Sequence, residues 1–311
     1  MRNAFAKKLS ECASADGRIT LLSGDIGNRL FDAFKMQFKD RFINCGVAEQ
    51  NMTGVAAGLA MQGFLPVTYT IAPFCTTRCL EQIRIDVAYH NLPVTIVSVG
   101  AGLSYAGLGP THHSCEDIAF LRSIPNMRIF CPATPLELEA ILPYVFKNPS
   151  PTYIRMGKKG ESEFHTNLID SQNICLPIQV SEGENVCLIA VGTIIDEVVC
   201  AQKKLCSQGI NAAVFSLPMV KPLPVPALRD IFRNYSRVAI VEEHSLIGGV
   251  SSAISELVVD GYLPAQKLMR FGTQDRFFEE AGSQKFARRA MGISCDDIVS
   301  KFVDQKMELE S

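Results

Sequence analysis

The sequence lacks the closely spaced cysteine and histidine pairs of a zinc site, although it contains eleven cysteines. It has no apolar run long enough to span a bilayer, and its polar N-terminus lacks the apolar core of an export signal. Many cysteines without an export signal predict reduced, mostly buried thiols and a cytoplasmic protein. The net charge of −2 gives no reason to expect nucleic acid or a membrane surface as a partner.

A complete magnesium and diphosphate motif is also missing. The segment Gly24-Asp25-Ile26-Gly27 follows an apolar strand candidate, where such a motif would begin. The motif needs Gly-Asp-Gly and, further along, a pair of asparagines, and the sequence has neither. We therefore expect no metal site in this chain and interpret Asp25 as a loop residue or as a contact to a substrate or partner.

The sequence does contain a repeated alternation of apolar strands and helices over 311 residues, of which 47% are hydrophobic. Such alternation predicts an α/β protein with parallel sheets, and the length suggests two domains. Residues 161–185 are polar and aperiodic, so we assign 1–160 to a first domain, 161–185 to a linker and 186–311 to a second, smaller domain. The predicted strands are 19–23, 65–69, 93–99, 127–131, 152–155, 186–191, 211–216, 237–242 and 266–271, and the main predicted helices are 51–61, 77–90, 135–146, 194–208, 227–234 and 248–261.

Glu49 is the only acid in the glycine- and alanine-rich segment 42–60, FINCGVAEQNMTGVAAGLA. Burying a carboxylate costs several kcal/mol unless the group is partnered, so its presence in such a segment needs a reason. One interpretation is a carboxylate at a helix N-terminus, where it interacts with free N–H groups. The other is a functional acid.

The glycine-rich segment 100–117, GAGLSYAGLGPTHHSCED, directly follows the apolar run 93–99. Ligands of parallel α/β sheets bind at the carboxyl ends of such strands, and glycines allow the backbone to approach a ligand closely. The adjacent histidines His112 and His113 suit proton transfer near neutral pH. The alternative is that both are ordinary structural loop residues.

Taken together, these segments resemble the C-terminal half of transketolase, and most closely its split form, in which two shorter subunits make the enzyme. The resemblance is carried by GVAEQN and GPTHH in this order and separation, and by TYTIAPFCTTRCLEQIRIDVAY, PTYIRMGKKG, VCLIAVGT and VAIVEEHSLIGGVSSAISE. It implies a pyrimidine-binding domain of the thiamine-diphosphate enzymes over residues 1–160 and a transketolase C-terminal domain over 186–311.

The resemblance implies thiamine diphosphate as cofactor and gives Glu49 a task. In the family this glutamate contacts an aminopyrimidine nitrogen, and a carboxyl group there favours the tautomer that can remove the thiazolium C2 proton. Phe74 matches the aromatic residue that stacks on the pyrimidine, although core packing is its alternative. Ile71 stands where transketolases often have another aromatic residue, and Arg78 is a further candidate contact to the cofactor.

Five residues are candidates for contacting the substrate besides Asp25. The resemblance places His112 against the donor's reacting oxygen, where it would stabilise negative charge or move a proton. His113 stands where the family often has glutamine, and Leu108 where it usually has an aspartate that reads a donor hydroxyl. Lys158 lies where the family often has a phosphate-binding arginine, with Arg155 close by; a solvated basic face is the alternative for these two.

The family's diphosphate and Mg2+ site lies on a domain that this sequence does not contain. The resemblance therefore implies a partner subunit of the N-terminal type that binds most of the Mg2+ and diphosphate, a second copy of this chain in an α2β2 assembly, and no activity without the partner. The expected reaction is transfer of a two-carbon ketol unit between small sugars or sugar derivatives. The alternatives are the beta subunit of a 2-oxo acid dehydrogenase or decarboxylating acyloin synthase, and a regulatory or scaffolding remnant without activity.

Overall fold

A computed structural model describes residues 1–27, 29–265 and 267–310 as two α/β domains, each built on its own sheet. The first sheet has the strand order β10-β5-β6-β4-β3-β1-β2 and the second β12-β11-β8-β9-β7. The strands are β1 Ile19–Ser23, β2 Phe42–Asn44, β3 Leu65–Ile71, β4 Thr95–Val99, β5 Arg128–Phe130, β6 Thr152–Met156, β7 Ile178–Ser181, β8 Val186–Val191, β9 Ala212–Ser216, β10 Met219–Lys221, β11 Arg237–Ser245 and β12 Lys267–Thr273.

Helices cover both sheets. They are α1 Arg2–Ala15, α2 Asp32–Gln37, α3 Glu49–Met61, α4 Ala72–Cys75, α5 Leu80–Gln82, α6 Asp117–Arg122, α7 Pro135–Lys147, α8 Ile195–Ser207, α9 Val225–Asn234, α10 Val250–Val259, α11 Gln284–Ala290 and α12 Cys295–Glu310. The central strands β4 and β8 are buried along their whole length, as expected for apolar parallel strands covered on both faces. No helix within the described ranges is long and apolar enough to cross a bilayer.

The predicted α/β class and the predicted strands are confirmed, with boundaries that shift by a few residues. The helix predicted over 77–90 has a different form: it starts as two short turns and ends as the π-helix Ile83–Tyr89. The elements that sequence reasoning missed include the first helix, α1, and the short strands β2, β7 and β10. Residue 266, predicted as the start of a strand, lies outside the described residues.

Two short strands depart from the predicted division at 161–185. Ile178–Ser181, assigned from the sequence to the linker, pairs antiparallel with β9 and so belongs to the second sheet. Met219–Lys221, from the second half of the chain, pairs antiparallel with β5 at the edge of the first sheet. The second half of the chain is therefore joined to the first sheet by the pairing of β10 with β5.

A buried ion pair lies where the two domains meet. The Nε of Arg155 donates to both carboxylate oxygens of Asp117, at 3.0 and 2.8 Å, and Tyr153 donates its hydroxyl proton to Asp117 at 2.7 Å. The Nη2 of Arg155 donates to the carbonyl oxygens of Ser114 at 2.7 Å and Glu243 at 3.0 Å. Burial alone would raise the pKa of Asp117, but the charge and hydrogen bond of Arg155 outweigh it and the pKa is lowered.

This network corrects the prediction that Arg155 contacts the substrate. The Arg155 side chain is almost fully buried, and its donors are directed to an internal carboxylate and two backbone carbonyls. A guanidinium held in this way cannot reach a ligand in the loop region without breaking the domain contact.

Replacing Arg155 by methionine should lower the free energy of unfolding by about 3–5 kcal/mol, because it leaves the buried Asp117 carboxylate without its cation. Urea denaturation followed by circular dichroism measures this loss. The matched control is Arg233→Met, since Arg233 is exposed and only 4.0 Å from Asp230, and it should change stability by less than about 0.5 kcal/mol. Equal effects of the two substitutions would contradict the assigned role.

Candidate functional site

The candidate site lies at the carboxyl ends of the adjacent strands β1, β3 and β4. Ser23 is paired with Tyr69, and Ile71 with Val99, so the segments that follow these strands leave the sheet at one edge. These segments carry Asp25, the turn with Phe74 and Arg78, and the glycine-rich loop with His112. Parallel α/β sheets bind ligands at such an edge.

Glu49 is the first residue of α3 and is only 2% exposed. Its Oε1 accepts from the Thr70 hydroxyl at 3.3 Å, and its Oε2 accepts from Nη1 of Arg78 at 2.7 Å. Among the described residues, neither oxygen accepts from a backbone N–H of α3. The capping interpretation is therefore not supported: the carboxylate points into the site and is held by side chains.

The backbone at Gly24 closes one side of this carboxylate. A Cβ on Gly24 would lie 3.1 Å from Thr70 Oγ1 and 3.4 Å from Glu49 Cγ, closer than most side-chain contacts. Glycine at this position thus permits the end of β1 to pack against the acid.

Phe74 and Arg78 form the next part of the site. The guanidinium carbon of Arg78 lies 4.1 Å from the centroid of the Phe74 ring, a cation–π contact. The Phe74 ring is only half-buried, so it is not a core residue. Ile71, also half-buried, immediately precedes α4 and lies at the end of β3.

His112 lies beside Phe74, with 5.2 Å between the ring centroids in an edge-to-face arrangement. Its Nδ1 is 3.0 Å from the Thr111 hydroxyl. On its other side is Tyr105, at 6.2 Å, and Lys158 lies over the Tyr105 ring with Nζ 4.7 Å from the centroid. The structure thus brings the predicted residues into one continuous row, Glu49, Arg78, Phe74, His112 and Lys158, linked by Tyr105.

Sequence reasoning missed Tyr105. The available signal was an aromatic residue inside a glycine-rich loop, together with the glycine that opens this loop. Gly100 has a φ of +84°, and a Cβ there would lie 2.0 Å from the Tyr105 ring, so only glycine lets the ring fold back onto the loop. Burial raises the pKa of the Tyr105 hydroxyl.

His113 does not join His112. Its side chain turns toward the second domain, where its ring lies 5.9 Å from the Phe278 ring, and its Nε2 is buried without a partner among the described residues. Burial lowers the pKa of His113, which keeps the imidazole neutral. The two histidines therefore do not form a paired proton-transfer site: His112 ends the turn Pro110–His112 and lies beside Phe74, whereas His113 has extended backbone and its ring lies beside Phe278.

Leu108 and Asp25 are both exposed. Leu108 ends the short turn Ala106–Leu108 and is 55% exposed. Asp25 is exposed, has a φ of +58°, and accepts from the side-chain amide of Asn44 at 2.9 Å. Both positions leave the side chains available to a molecule entering from solvent.

The second domain holds the start of the glycine-rich loop in place. The Glu243 carboxylate accepts from the backbone N–H of Leu103, and Gln284 donates to the Ser104 hydroxyl at 3.3 Å. Gly102 has a φ of +58°, and a Cβ there would lie 2.6 Å from Glu243 Oε1. Glu243 was not predicted from the sequence, since its role depends on a contact over 140 residues.

The residues present fit the pyrimidine end of thiamine diphosphate. A buried carboxylate next to an aromatic face already binds one planar cationic group, that of Arg78. By contrast, no group of three or more potential metal ligands occurs in the part of the chain that the structure describes. The contacts of Glu49 and Phe74 therefore suit the pyrimidine end of the cofactor.

Comparison with known proteins identifies two domains in this chain. The pattern of the transketolase pyrimidine binding domain matches residues 1–160, and that of the transketolase C-terminal domain matches residues 178–298. The chain is 37% identical over 267 residues to an apulose-4-phosphate transketolase subunit of Actinobacillus succinogenes, covering 86% of this chain and 85% of the relative. It is 32% identical over 304 residues to a 6-deoxy-6-sulfo-D-fructose transketolase subunit of Clostridium sp., covering 96% and 92%.

Longer relatives and solved structures extend the comparison. The chain matches 1-deoxy-D-xylulose-5-phosphate synthase of Nitratidesulfovibrio vulgaris with 35% identity, but spans only 46% of it. A solved split-gene transketolase, described as an inactive beta4 tetramer, superimposes with a TM-score of 0.85 and 32% identity, covering 96% of this chain and 95% of that one. A transketolase of Pichia stipitis shares the fold, with a TM-score of 0.81 at 18% identity over 45% of its length.

The order of the domains, the site geometry and relatives of nearly equal length lead to one conclusion: the chain belongs to the transketolase family and corresponds to the separately encoded subunit with the pyrimidine-binding and C-terminal domains.

Proposed function

We propose that this chain supplies the pyrimidine end of the active site in a two-subunit, thiamine-diphosphate-dependent enzyme that transfers a two-carbon ketol unit. The observation that carries the proposal is the buried Glu49 carboxylate beside the Phe74 ring, at the ligand-binding edge of the sheet. Parallel α/β sheets bind ligands at this edge, and an aminopyrimidine can both hydrogen-bond to the acid and stack on the ring.

Each residue of the row has a task in this proposal. Glu49 holds the aminopyrimidine by a hydrogen bond, and Phe74 and Ile71 pack against its ring. The bound cofactor supplies the carbanion chemistry. His112, half-buried and next to Phe74, lies where an imidazole can orient the donor and give or take a proton at its reacting oxygen.

The substrate end of the row favours a donor with an anionic group. Lys158 is the cation at that end, and it lies over Tyr105, the neighbour of His112. The two transketolase subunits of A. succinogenes and Clostridium are described as acting on a sugar phosphate and a sulfosugar, each of which carries such a group. We therefore place the anionic end of a ketose derivative near Lys158 and its hydroxyls near Leu108 and Asp25.

Leu108 also supports the second candidate function. A leucine in place of a hydroxyl-reading aspartate suits a less hydroxylated donor, as used by 2-oxo acid dehydrogenases and acyloin synthases. The family assignment favours the transketolase reaction. Initial rates with hydroxypyruvate, ketose phosphates and pyruvate distinguish the two functions.

The partner chain is proposed to cover the face that α3 presents to solvent. Val55 on α3 is 37% exposed, and Val47, just before the helix, is 79% exposed. Gly54 and Gly58 leave open space along the same helix, which lets another backbone approach. We propose that an N-terminal-type subunit with the Mg2+ and diphosphate site docks here, in an α2β2 assembly.

The proposed location is the cytoplasm. All eleven cysteines are unpaired in the described structure, which supports a reducing compartment.

The purified chain should show no turnover with thiamine diphosphate, Mg2+ and any of these donors, because the proposed enzyme binds the diphosphate and Mg2+ through the partner subunit. Activity should appear when the diphosphate-binding subunit that co-purifies from the native source is added, with a complex mass of two copies of each chain. Light scattering measures the mass of the complex, and a coupled ketol-transfer assay measures its turnover. Turnover by this chain alone would refute the proposed division.

Glu49→Gln in the assembled complex should reduce kcat by about 10²–10⁴-fold, since the amide keeps the shape but cannot act as the acid. The steady-state rate with a saturating donor measures the loss. Glu184→Gln, the same substitution at an exposed position in the second domain, is the control and should leave kcat unchanged. Retained activity in Glu49→Gln would remove Glu49 from the mechanism.

Leu108→Asp should raise kcat/KM for a ketose phosphate relative to pyruvate by about tenfold, because a carboxylate at this exposed position can accept from a donor hydroxyl. Leu108→Ala removes the same side chain without adding an acceptor and serves as the control. If both variants change the ratio equally, Leu108 does not contact the donor.

A further inference from the structure

Arg78 makes two contacts at once. Its Nη1 donates to Glu49 Oε2 at 2.7 Å, and its guanidinium carbon lies 4.1 Å from the Phe74 ring centroid. The Glu49 carboxylate and the Phe74 face are the same two groups that the proposed function assigns to the aminopyrimidine. A guanidinium resembles that ring in being planar and in carrying N–H donors at its edge.

The spacing leaves no room for both groups. The guanidinium carbon is in direct contact with the Phe74 ring at 4.1 Å from its centroid, and a pyrimidine stacked on that face at about 4.5 Å would need the same space. The same guanidinium holds the Glu49 carboxylate as a hydrogen-bond acceptor, whereas the proposed function requires Glu49 to donate to the pyrimidine.

Resting on the proposed function, we propose that Arg78 is a placeholder for the cofactor's pyrimidine: it occupies Glu49 and Phe74 in the free chain, and it must swing out when the cofactor binds. The role explains why a carboxylate that is 2% exposed has an arginine with 41% of its side chain exposed as its charged partner. Arg78 neutralises the buried Glu49 carboxylate, and a ligand that both stacks on Phe74 and hydrogen-bonds to Glu49 can replace it.

The motion needed is that of a side chain only. The side-chain amide of Gln50 donates to the Arg78 carbonyl oxygen at 3.0 Å, so the backbone of the turn is tied to α3. The long Arg78 side chain is partly in solvent and can rotate away while this bond and the Thr70–Glu49 hydrogen bond remain.

The competing role is that Arg78 stays and holds the cofactor directly. The two roles predict opposite changes in cofactor affinity when Arg78 is removed. A placeholder competes with the cofactor, so its removal tightens binding; a direct ligand contributes to binding, so its removal weakens it.

The test measures the Kd of thiamine diphosphate with excess Mg2+ by isothermal titration calorimetry on the complex with the diphosphate-binding subunit. Arg78→Met should lower the Kd by about 3–10-fold. It should also lower the melting temperature of the cofactor-free chain, because Glu49 loses its charged partner, and the double variant Glu49→Gln/Arg78→Met should restore most of that loss. Arg78→Lys, which keeps the charge but not the planar group, should give an intermediate Kd and covers the case in which Arg78→Met fails to fold.

Arg233→Met is the matched control, since Arg233 is exposed on α9 in the second domain, and it should leave the Kd unchanged. An unchanged or higher Kd in Arg78→Met, with normal binding by the unsubstituted complex, would overturn the placeholder role and leave the proposed function intact. Absence of cofactor binding by the unsubstituted complex would overturn both.

Discussion

The ion pair between Arg155 and Asp117 is the constraint on which the arrangement of the site depends. Arg155 is at the end of β6, Asp117 begins α6, and the carbonyls that accept from Nη2 belong to Ser114 and to Glu243 of the second domain. Ser114 follows the two histidines directly. One guanidinium therefore fixes both the end of the glycine-rich loop and the contact between the domains. An arrangement that left this buried charge without its partners would be unfavourable.

Glu243 fixes the other end of the same loop. Its carbonyl oxygen accepts from Arg155, while its carboxylate accepts from Leu103 and is paired with Arg288. The loop between these anchors still exposes Leu108 and presents His112 beside Phe74. The C-terminal domain thus contributes no side chain to the row from Glu49 to Lys158, but it determines where that row ends. This gives the second domain a physical task in a site formed almost wholly by the first.

The parts of this structure that depend on local sequence were predictable. Apolar runs such as Thr95–Val99 give strands buried on both faces. The isolated acid in a segment of small residues made Glu49 a candidate, and the family resemblance implied its role. What escaped prediction depends on contacts between distant residues. β10 is only three residues long and forms because Met219 pairs with Phe130. Arg155 was predicted to contact a substrate because the sequence does not show that Asp117 lies against it. The adjacency of His112 and His113 was misleading for a geometric reason, since the chain directs their rings to opposite sides.

The two ends of the proposed site differ in how deeply their side chains are buried. At the pyrimidine end, Glu49 and Thr70 are buried and Gly24 packs against them, so a change of one atom there disturbs close contacts. At the proposed substrate end, Leu108 is 55% exposed. Substitutions near the exposed Leu108 are therefore expected to lower the free energy of unfolding less than substitutions near the buried Glu49. A family built in this way keeps one cofactor chemistry while its donors vary, and this explains why relatives of similar length are described as acting on an apulose phosphate and a sulfofructose. In the proposed function, Glu49, Arg78 and Phe74 therefore determine how the cofactor binds, and the exposed edge near Leu108 and Lys158 determines which donor is used.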